Sequence, residues 1–532
     1  MAGHPETIER LLEQMGSYPP QELACVIGDR DFSYGEMVDA SRGLAGYLSE
    51  LGVRRGDRVA VWLPNSVEWV ASLLAAGSIG AILVPINARF QQSEASYVLR
   101  QSGSKVLITR TSFGRTNYRD KVARWFPSLE ENATHGSEEN IDSLEQVVWV
   151  GGDTPAGAHS WEKAVSREGE PPAGGCRETD PVLIQYTSGT TSFPKGALLT
   201  NQAILNNARI VGERMHIGPG DKVFCGGPFF HIAGITMQVL MSLVFRVPFY
   251  TLEQFDATAA YEMVAEHGCT TYSGIESLFL MVRNLKSFDK REFATVRTGW
   301  MAGSPETVRL VREEMGVEDI MCVFGTSETS PNVTICDVDD PAEKKHLSCG
   351  RPHPGCEVAI LDPASLESLP PGERGEIVTR GYNVMLGYYG KPEETEEVFL
   401  EGGWFRTGDM GGIDAEGYLY YHGRYKEIIR VGGENFAPEE VEGMLVEHAE
   451  VEQVSLVGMP DETYGEIPVA VIRSRPGSKL GVEEVREYLS GKVAGFKIPR
   501  RVEEVEEFPM TESGKVQKFR LREQVLDRQE RR

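Results

Sequence analysis

Residues 182–196 read VLIQYTSGTTSFPKG, an apolar run that breaks into glycine and hydroxyl side chains and ends in Pro194-Lys195-Gly196. The first five residues suit a short strand buried on both faces, as in a parallel sheet. They deliver the chain into a loop where Gly189 removes a side chain and Ser188, Thr190, Thr191 and Ser192 add hydroxyls. Glycine lets the main chain approach an anion closely, and successive N–H groups form a nest for phosphate. Lys195 places a positive charge beside it. Taken alone, a loop of this composition is more often a polar surface turn.

Outward from this stretch, helix and strand patterns alternate. Met37, Leu44, Leu48 and Leu51 lie at helical spacing, and RVAVWL (58–63) reads as a buried strand. NSVEWVASLLAAG (65–77) is a helix opened by an Asn or Ser cap, followed by the strand AILVPI (81–86). Strand, helix, strand with short connections predicts parallel α/β layers. Residues 110–180 are rich in Gly, Glu and Ser, with PPAGG at 171–175, and are expected to be long surface connections. Near the end, VEQVSLVGM (451–459) and PVAVIR (468–473) read as strands and VEEVREYLSGKVA (482–494) as a helix. This is a compact α+β unit of ordinary domain size. The expected architecture is α/β: a large N-terminal domain of several subdomains over residues 1–425, and a small, mobile C-terminal α+β domain over 426–532.

Composition narrows the classes of function. A chain of 532 residues suggests three or four domain-sized units, with cores large enough to need no disulfide or structural metal. Acidic residues exceed basic ones by 79 to 54, for a formal charge of −25, which repels nucleic acid and anionic lipid. The eight cysteines contain no CxxC pair and read as reduced and mostly buried. MAGHPETIERLLEQMG carries acidic residues and helical spacing at Ile8, Leu11, Leu12 and Met15, so it is not read as a signal peptide. Val239–Leu252 is interrupted by Arg246 and Pro248 and is too short to span a bilayer. A cytoplasmic location is expected, and a homodimer stays open.

The loop departs from the nucleoside-triphosphatase P-loop, whose lysine follows Gly and precedes Ser or Thr. Here Lys195 follows Pro194 and precedes Gly196. Five further stretches accompany it in order: MAGSP (301–305), FGTSET (324–329), GWFRTGD (403–409), GRYKEIIRVGGENFAPEEVE (423–442) and PMTESGKVQK (509–518). Together with YTSGTTSFPKG they resemble the motifs of the adenylate-forming superfamily, which includes acyl-CoA synthetases, peptide-synthetase adenylation domains and luciferases. The resemblance spans nearly the whole chain. The family usually has Gly where this chain has Ser192.

The resemblance implies a role for each matching position. Thr187, Ser188, Gly189, Thr190, Thr191 and Lys195 would hold the β- and γ-phosphates of ATP. Gly303, Ser304, Pro305, Phe324, Gly325, Thr326 and Ser327 would line the adenine side, with Phe324 against the base. Asp409 and Arg424 would hold the ribose, and Glu328 would bind Mg2+, a hard cation suited to a carboxylate ligand. Catalysis would fall to Lys515, Glu328 and Thr190. A substrate carboxylate would attack the α-phosphate, expel pyrophosphate and form an acyl-adenylate, with Lys515 between the two anions. The small domain would then turn about Lys426, admitting a thiol along Gly432, Gly433 and Glu434.

The acyl and CoA path is expected near His231, Gly234, Gly274, Trp300, Met301 and Ala302. Trp300 would either reshape the pocket or face away into the core. PFFH (228–231), VGGEN (431–435) and VMLGYY (384–389) resemble acyl- or aryl-CoA synthetases, and the overall pattern, with ETSP at 328–331, most resembles those acting on medium-chain fatty acids. The expected activity is therefore an ATP- and CoA-dependent acid–thiol ligase with a small-molecule carboxylic acid as substrate. The alternatives are an adenylate ligase that loads a carrier-protein phosphopantetheine, a ligase for aryl or functionalised acids, an oxidising enzyme of the luciferase kind, and a non-catalytic ligand-binding member.

Overall fold

The computed structural model describes residues 4–530 except 89, 91, 115, 126–140, 153, 155–157, 168–170, 188–193, 425–426, 428, 432–433, 462–463, 491, 494 and 511–515. The local signals near the N-terminus produce the elements they predict. Ile8–Met15 is a helix that buries Ile8, Leu11, Leu12 and Met15, with the Thr7 side chain accepting from the Arg10 N–H. Tyr34–Glu50 opens on a reciprocal cap, in which Ser33 accepts from the Glu36 N–H and Glu36 from the Ser33 N–H. Val67–Ser78 is capped by Ser66 and is buried on nearly every side.

Two large sheets share one helical layer. The first runs Lys195–Thr200, Pro181–Thr187, Ile82–Pro85, Arg58–Trp62, Val106–Arg110, Gln146–Val150, His159–Ser160. All its neighbours are parallel except the first pair, an antiparallel hairpin with Thr187 opposite Lys195. The second sheet has nine strands, with Asp319–Phe324, Thr298–Ala302, Thr271–Ile275, Val223–Cys225, Phe249–Thr251 and Leu23–Ile27 parallel in that spatial order. The largest buried cluster joins Val59 and Leu183 of one sheet, Cys225 and Met321 of the other, and helical residues such as Leu44, Leu74 and Leu205. A third, antiparallel sheet contains Trp404–Ile413 and Leu419–Arg424, with Asp409 opposite Arg424.

The C-terminal part has cores of its own. Ile429–Val431, Glu434–Phe436, Val451–Asp461, Gly465–Ser474 and Arg501–Glu504 form a sheet. Val441, Leu456, Ile472 and Val485 pack on one side of it, and Val457, Val469, Val471 and Leu521 on the other. The fold is thus a large N-terminal and a small C-terminal body of mixed α/β sheets, as expected.

Two sequence expectations need correction. Residues 110–180 are not only surface connections, because Gln146–Val150 is a buried parallel strand with Trp149 fully enclosed. Its run is too short to stand out against the Gly- and Glu-rich average around it. Burying Val147 and Val148 contributes about 1.5–3 kcal/mol each, enough to hold the strand inside the sheet. The helix expected over 482–494 stops at Leu489, with Ser490 already extended in ψ. The apolar stretch 239–252 divides as read: a helix ends at Phe245, Arg246 takes a left-handed φ of 54°, and a strand follows from Phe249. Among the described residues no helix is long and apolar enough to cross a membrane. All eight cysteines are free, and seven of them are buried.

Candidate active site

Three described side chains from distant parts of the sequence meet beside the hairpin. Tyr388 donates its hydroxyl to Glu328 Oε1 at 2.8 Å, and Lys195 Nζ lies 5.0 Å from the centre of the Tyr388 ring. Glu328 sits in the short turn Ser327–Thr329, braced where the Thr326 N–H donates to Thr329 Oγ1 at 2.8 Å. Its backbone carbonyl accepts from the Met385 N–H at 2.8 Å. The hairpin Pro181–Thr187/Lys195–Thr200 therefore sets Lys195 beside the tyrosine that bonds a half-buried carboxylate. Residues 188–192 of the expected phosphate loop lie outside the described residues, as do Lys426, Gly432, Gly433 and Lys515.

A second group adjoins the first. Asp409, 3% exposed, pairs with Arg424 at Nε–Oδ1 3.2 Å, since the two are opposite one another across the strands. Asp409 first, and Glu328 among the weaker contributors, hold the Arg424 guanidinium firmly protonated. Phe324, at the end of its strand, is only 5% exposed and lies under Tyr421 with ring centres 5.7 Å apart. Tyr421 is 38% exposed and presents the open aromatic face at this position. Sequence reading missed it; its signal was an aromatic three residues before Arg424 on one strand.

The Gly303–Ser304–Pro305 turn is held by a carboxylate that no motif indicated. Ser304 caps the helix Pro305–Leu310 and donates from Oγ to Glu276 Oε1 at 3.2 Å, and Thr307 Oγ1 also bonds Glu276. Desolvation pushes the Glu276 pKa up, while these hydroxyls act against the rise. A side chain at Gly303 would collide with Glu276, and one at Gly325 with Pro331 and Asn332, so both turns depend on glycine.

On the expected acyl side, His231 caps the turn Ile232–Gly234, and its Nδ1 accepts from the Ala233 N–H at 3.3 Å. Gln185, next to the signature loop, donates to the Phe230 carbonyl at 3.1 Å and so ties PFFH to that loop. A π-helix over Ile235–Leu240 follows. Trp300 is 3% exposed and directs its indole N–H at the Met237 carbonyl, 3.4 Å away, against this helix. Trp300 and Ile232 belong to the same core, whereas Met301 faces the opposite core with Tyr272 and Val308. Ala302 follows Met301 at the strand end, and Gly274 lies opposite Met301 on the neighbouring strand. Glu434 is placed by its backbone, opposite Val431.

Behind Glu328 lies a buried polar layer. Asn332 accepts from Asn207 Nδ2 at 2.7 Å through its carbonyl, Asn383 Nδ2 donates to the Thr329 carbonyl at 3.2 Å, and Asn332 Nδ2 lies 3.2 Å from His353 Nε2. Burial, aided by Arg214 and Arg209, pushes the His353 pKa from 6.5 down to about 3. The folded protein keeps this ring neutral while the unfolded chain protonates it, so stability is full above pH 6.5 and falls as pH drops toward 3. The expected slope is about 1.4 kcal/mol per pH unit. Denaturant titrations of wild type and His353→Gln should differ by this slope on the acid side; parallel acid limbs would refute it.

The flanks of the expected catalytic lysine are pinned. Met510 pairs with Val516, and the Gln517 N–H donates to the Pro509 carbonyl at 2.7 Å. Lys518 then meets Glu439 and Glu442, each at 3.0 Å, and Glu427 at 3.8 Å.

A family model described as AMP-binding enzyme matches residues 11–389, and one described as AMP-binding enzyme C-terminal domain matches 440–515. YngI of Bacillus subtilis (strain 168) is 35% identical over 535 residues, covering 98% of this chain and 97% of its own. The mitochondrial medium-chain acyl-CoA ligase ACSF2 of Bos taurus is 33% identical, covering 98% and 88%. The crystal structure of ATP-bound MatB from Rhodopseudomonas palustris superposes with a TM-score of 0.84 at 26% identity, covering 98% and 99%.

Proposed function

The chain belongs to the AMP-binding enzyme family and is an AMP-forming acid–thiol ligase that uses ATP and CoA; from that premise we propose that its acid is a medium-chain fatty acid and that the residues meeting around Tyr388 form its ATP site. The observation that carries the site is the contact series Lys195–Tyr388–Glu328, adjoining Arg424–Asp409 and Phe324–Tyr421. It supports reading Lys195 as a phosphate-binding cation, Glu328 as the metal's carboxylate, Asp409 as the ribose acceptor and Phe324–Tyr421 as the aromatic face for the base.

Asp409 accepts hydrogen bonds from the ribose hydroxyls, and Arg424 orients that carboxylate. The adenine lies at the Phe324–Tyr421 pair, against the turn that Glu276 braces. The loop from Ser188 to Lys195, Thr190 included, holds the phosphates. Glu328 fits Mg2+: it is a hard oxygen donor, half-buried, and among the described residues only Tyr388 donates to its carboxylate. Such an ion, held by Glu328, supplies neutralisation of phosphate charge when bound. Lys515 sits between the substrate carboxylate and the α-phosphate and offsets their repulsion.

We place the domain boundary at 425/426 with Lys426 as the hinge, supported by the separate cores that begin at Ile429. Gly432, Gly433 and Glu434 then flank the thiol path. Unpaired thiols throughout the chain support a reducing, cytoplasmic setting. The medium-chain reading rests on the likeness to ACSF2 and on Trp300, whose bulk lies against the π-helix beyond His231 on the expected acyl side. Carboxylate-dependent pyrophosphate exchange across straight-chain, aromatic and dicarboxylic acids tests it. The rate is expected to peak at medium-chain acids, with AMP release then requiring CoA; a peak at aromatic acids, or AMP release with a carrier protein alone, would replace this reading.

A further inference from the structure

Outside the sequence motifs to which roles were assigned, the segment 384–389 is the most heavily tied to the site. Leu386 donates from its N–H to the Leu198 carbonyl at 2.9 Å, Leu198 returns a bond to Gly387 at 3.0 Å, and the Tyr389 N–H donates to the Gly196 carbonyl at 2.8 Å. These bonds add the segment as an extra strand beside the outgoing arm of the phosphate hairpin, with Tyr388 opposite Ala197. On its other side the Met385 N–H holds the Glu328 carbonyl. Gly387 has φ 144°, and a side chain there would strike Thr395, which itself accepts from the Tyr388 N–H at 2.9 Å. Gln101 fixes the far end, donating to the Tyr389 carbonyl at 2.7 Å while accepting from the Tyr186 hydroxyl.

We propose that Tyr388 is a positioning residue that couples the two halves of the triphosphate site: its hydroxyl aims the Glu328 carboxylate at the cation, and its ring face steadies Lys195 beside the phosphates. The inference rests on Glu328 being the cation ligand. Four backbone bonds and the bonds to Thr395 and Gln101 fix the backbone that carries the ring, so the orientation of Glu328 is set by the hairpin that carries the phosphate loop. A carboxylate with one oxygen occupied by a donor keeps the other directed outward, which is how groups behind a metal ligand tune its affinity. The Lys195 ammonium over the ring gains a cation–π contact that restrains a flexible four-carbon stem.

The two contacts can be separated in the full-length enzyme. Tyr388→Phe removes the hydroxyl and keeps the ring; Tyr388→Leu removes both. Mn2+ binding in the presence of ATP, followed by the loss of its free paramagnetic signal, is expected to weaken about tenfold in Tyr388→Phe. Metal-free ATP binding, measured by calorimetry in EDTA, and the thermal midpoint are expected to stay at wild-type values in that variant. Tyr388→Leu is expected to lose Mn2+ affinity equally and metal-free ATP affinity as well. Wild-type Mn2+ affinity in Tyr388→Phe overturns the positioning role, and so does an equal loss with and without metal, which would mark general disruption. Glu328→Gln separates the underlying assumption: if that variant binds Mn2+ normally, the metal assignment itself fails.

Discussion

Lys515→Ala is expected to lower acyl-adenylate formation by about 10²–10³-fold, the cost of removing one preorganised stabiliser of developing charge, roughly 3–4 kcal/mol. Thiolysis of a preformed acyl-adenylate is expected to proceed at close to the wild-type rate. The asymmetry follows from charge. In the first half-reaction two anions approach one another and negative charge spreads over phosphate oxygens, so a cation between them lowers the barrier. In the second half-reaction a thiol attacks a carbonyl already activated by its AMP leaving group, and the lysine has no repulsion left to offset. Pyrophosphate exchange reads the first step and AMP release from supplied acyl-AMP plus CoA reads the second. Equal loss in both would remove Lys515 from this role.

Asp409→Ala gives the opposite signature. Two ribose hydroxyls lose a charged acceptor, and hydrogen bonds to charged groups contribute about 1.5–3 kcal/mol each. The kcat/KM for ATP is expected to fall several hundredfold, about 3–4 kcal/mol in transition-state binding. Acyl-AMP carries the same ribose, so thiolysis at low acyl-AMP concentration is expected to fall with it. Stability should change little through the loss of the ion pair, because Arg424 is 46% exposed and water solvates it in the variant. Steady-state kinetics in ATP and in acyl-AMP, alongside a thermal scan, measure all three. An unchanged KM for acyl-AMP would exclude Asp409 as the ribose acceptor.

Legibility in the sequence followed the range over which each feature is encoded. The helix cap at Ser66 and the apolar faces of Ile8–Met15 and Tyr34–Glu50 depend on residues within one or two turns, and all formed as expected. Trp149 escaped because a five-residue strand has no periodicity of its own and is stabilised only by the Val106–Arg110 strand beside it. Glu276 and Tyr421 escaped for a related reason: a carboxylate in GIESL and a tyrosine in LYYHG look like any surface residue until Ser304, Thr307 and Phe324 arrive beside them. The direction of Trp300 came from the π-helix packed across the sheet, which no local pattern encodes.

By itself, then, the sequence determined the α/β class and the family and put forward Glu328, Asp409, Arg424 and Lys515 as the groups to handle ATP, because residue type and order along the chain carry that chemistry. It contained VMLGYY without giving Tyr388 a role. Only the tertiary structure decided that, since a strand pairing across some 190 residues brings Tyr388 between Lys195 and Glu328. Backbone hydrogen bonds to Gly196 and Leu198 specify that pairing, and backbone bonds leave no mark in side-chain identity.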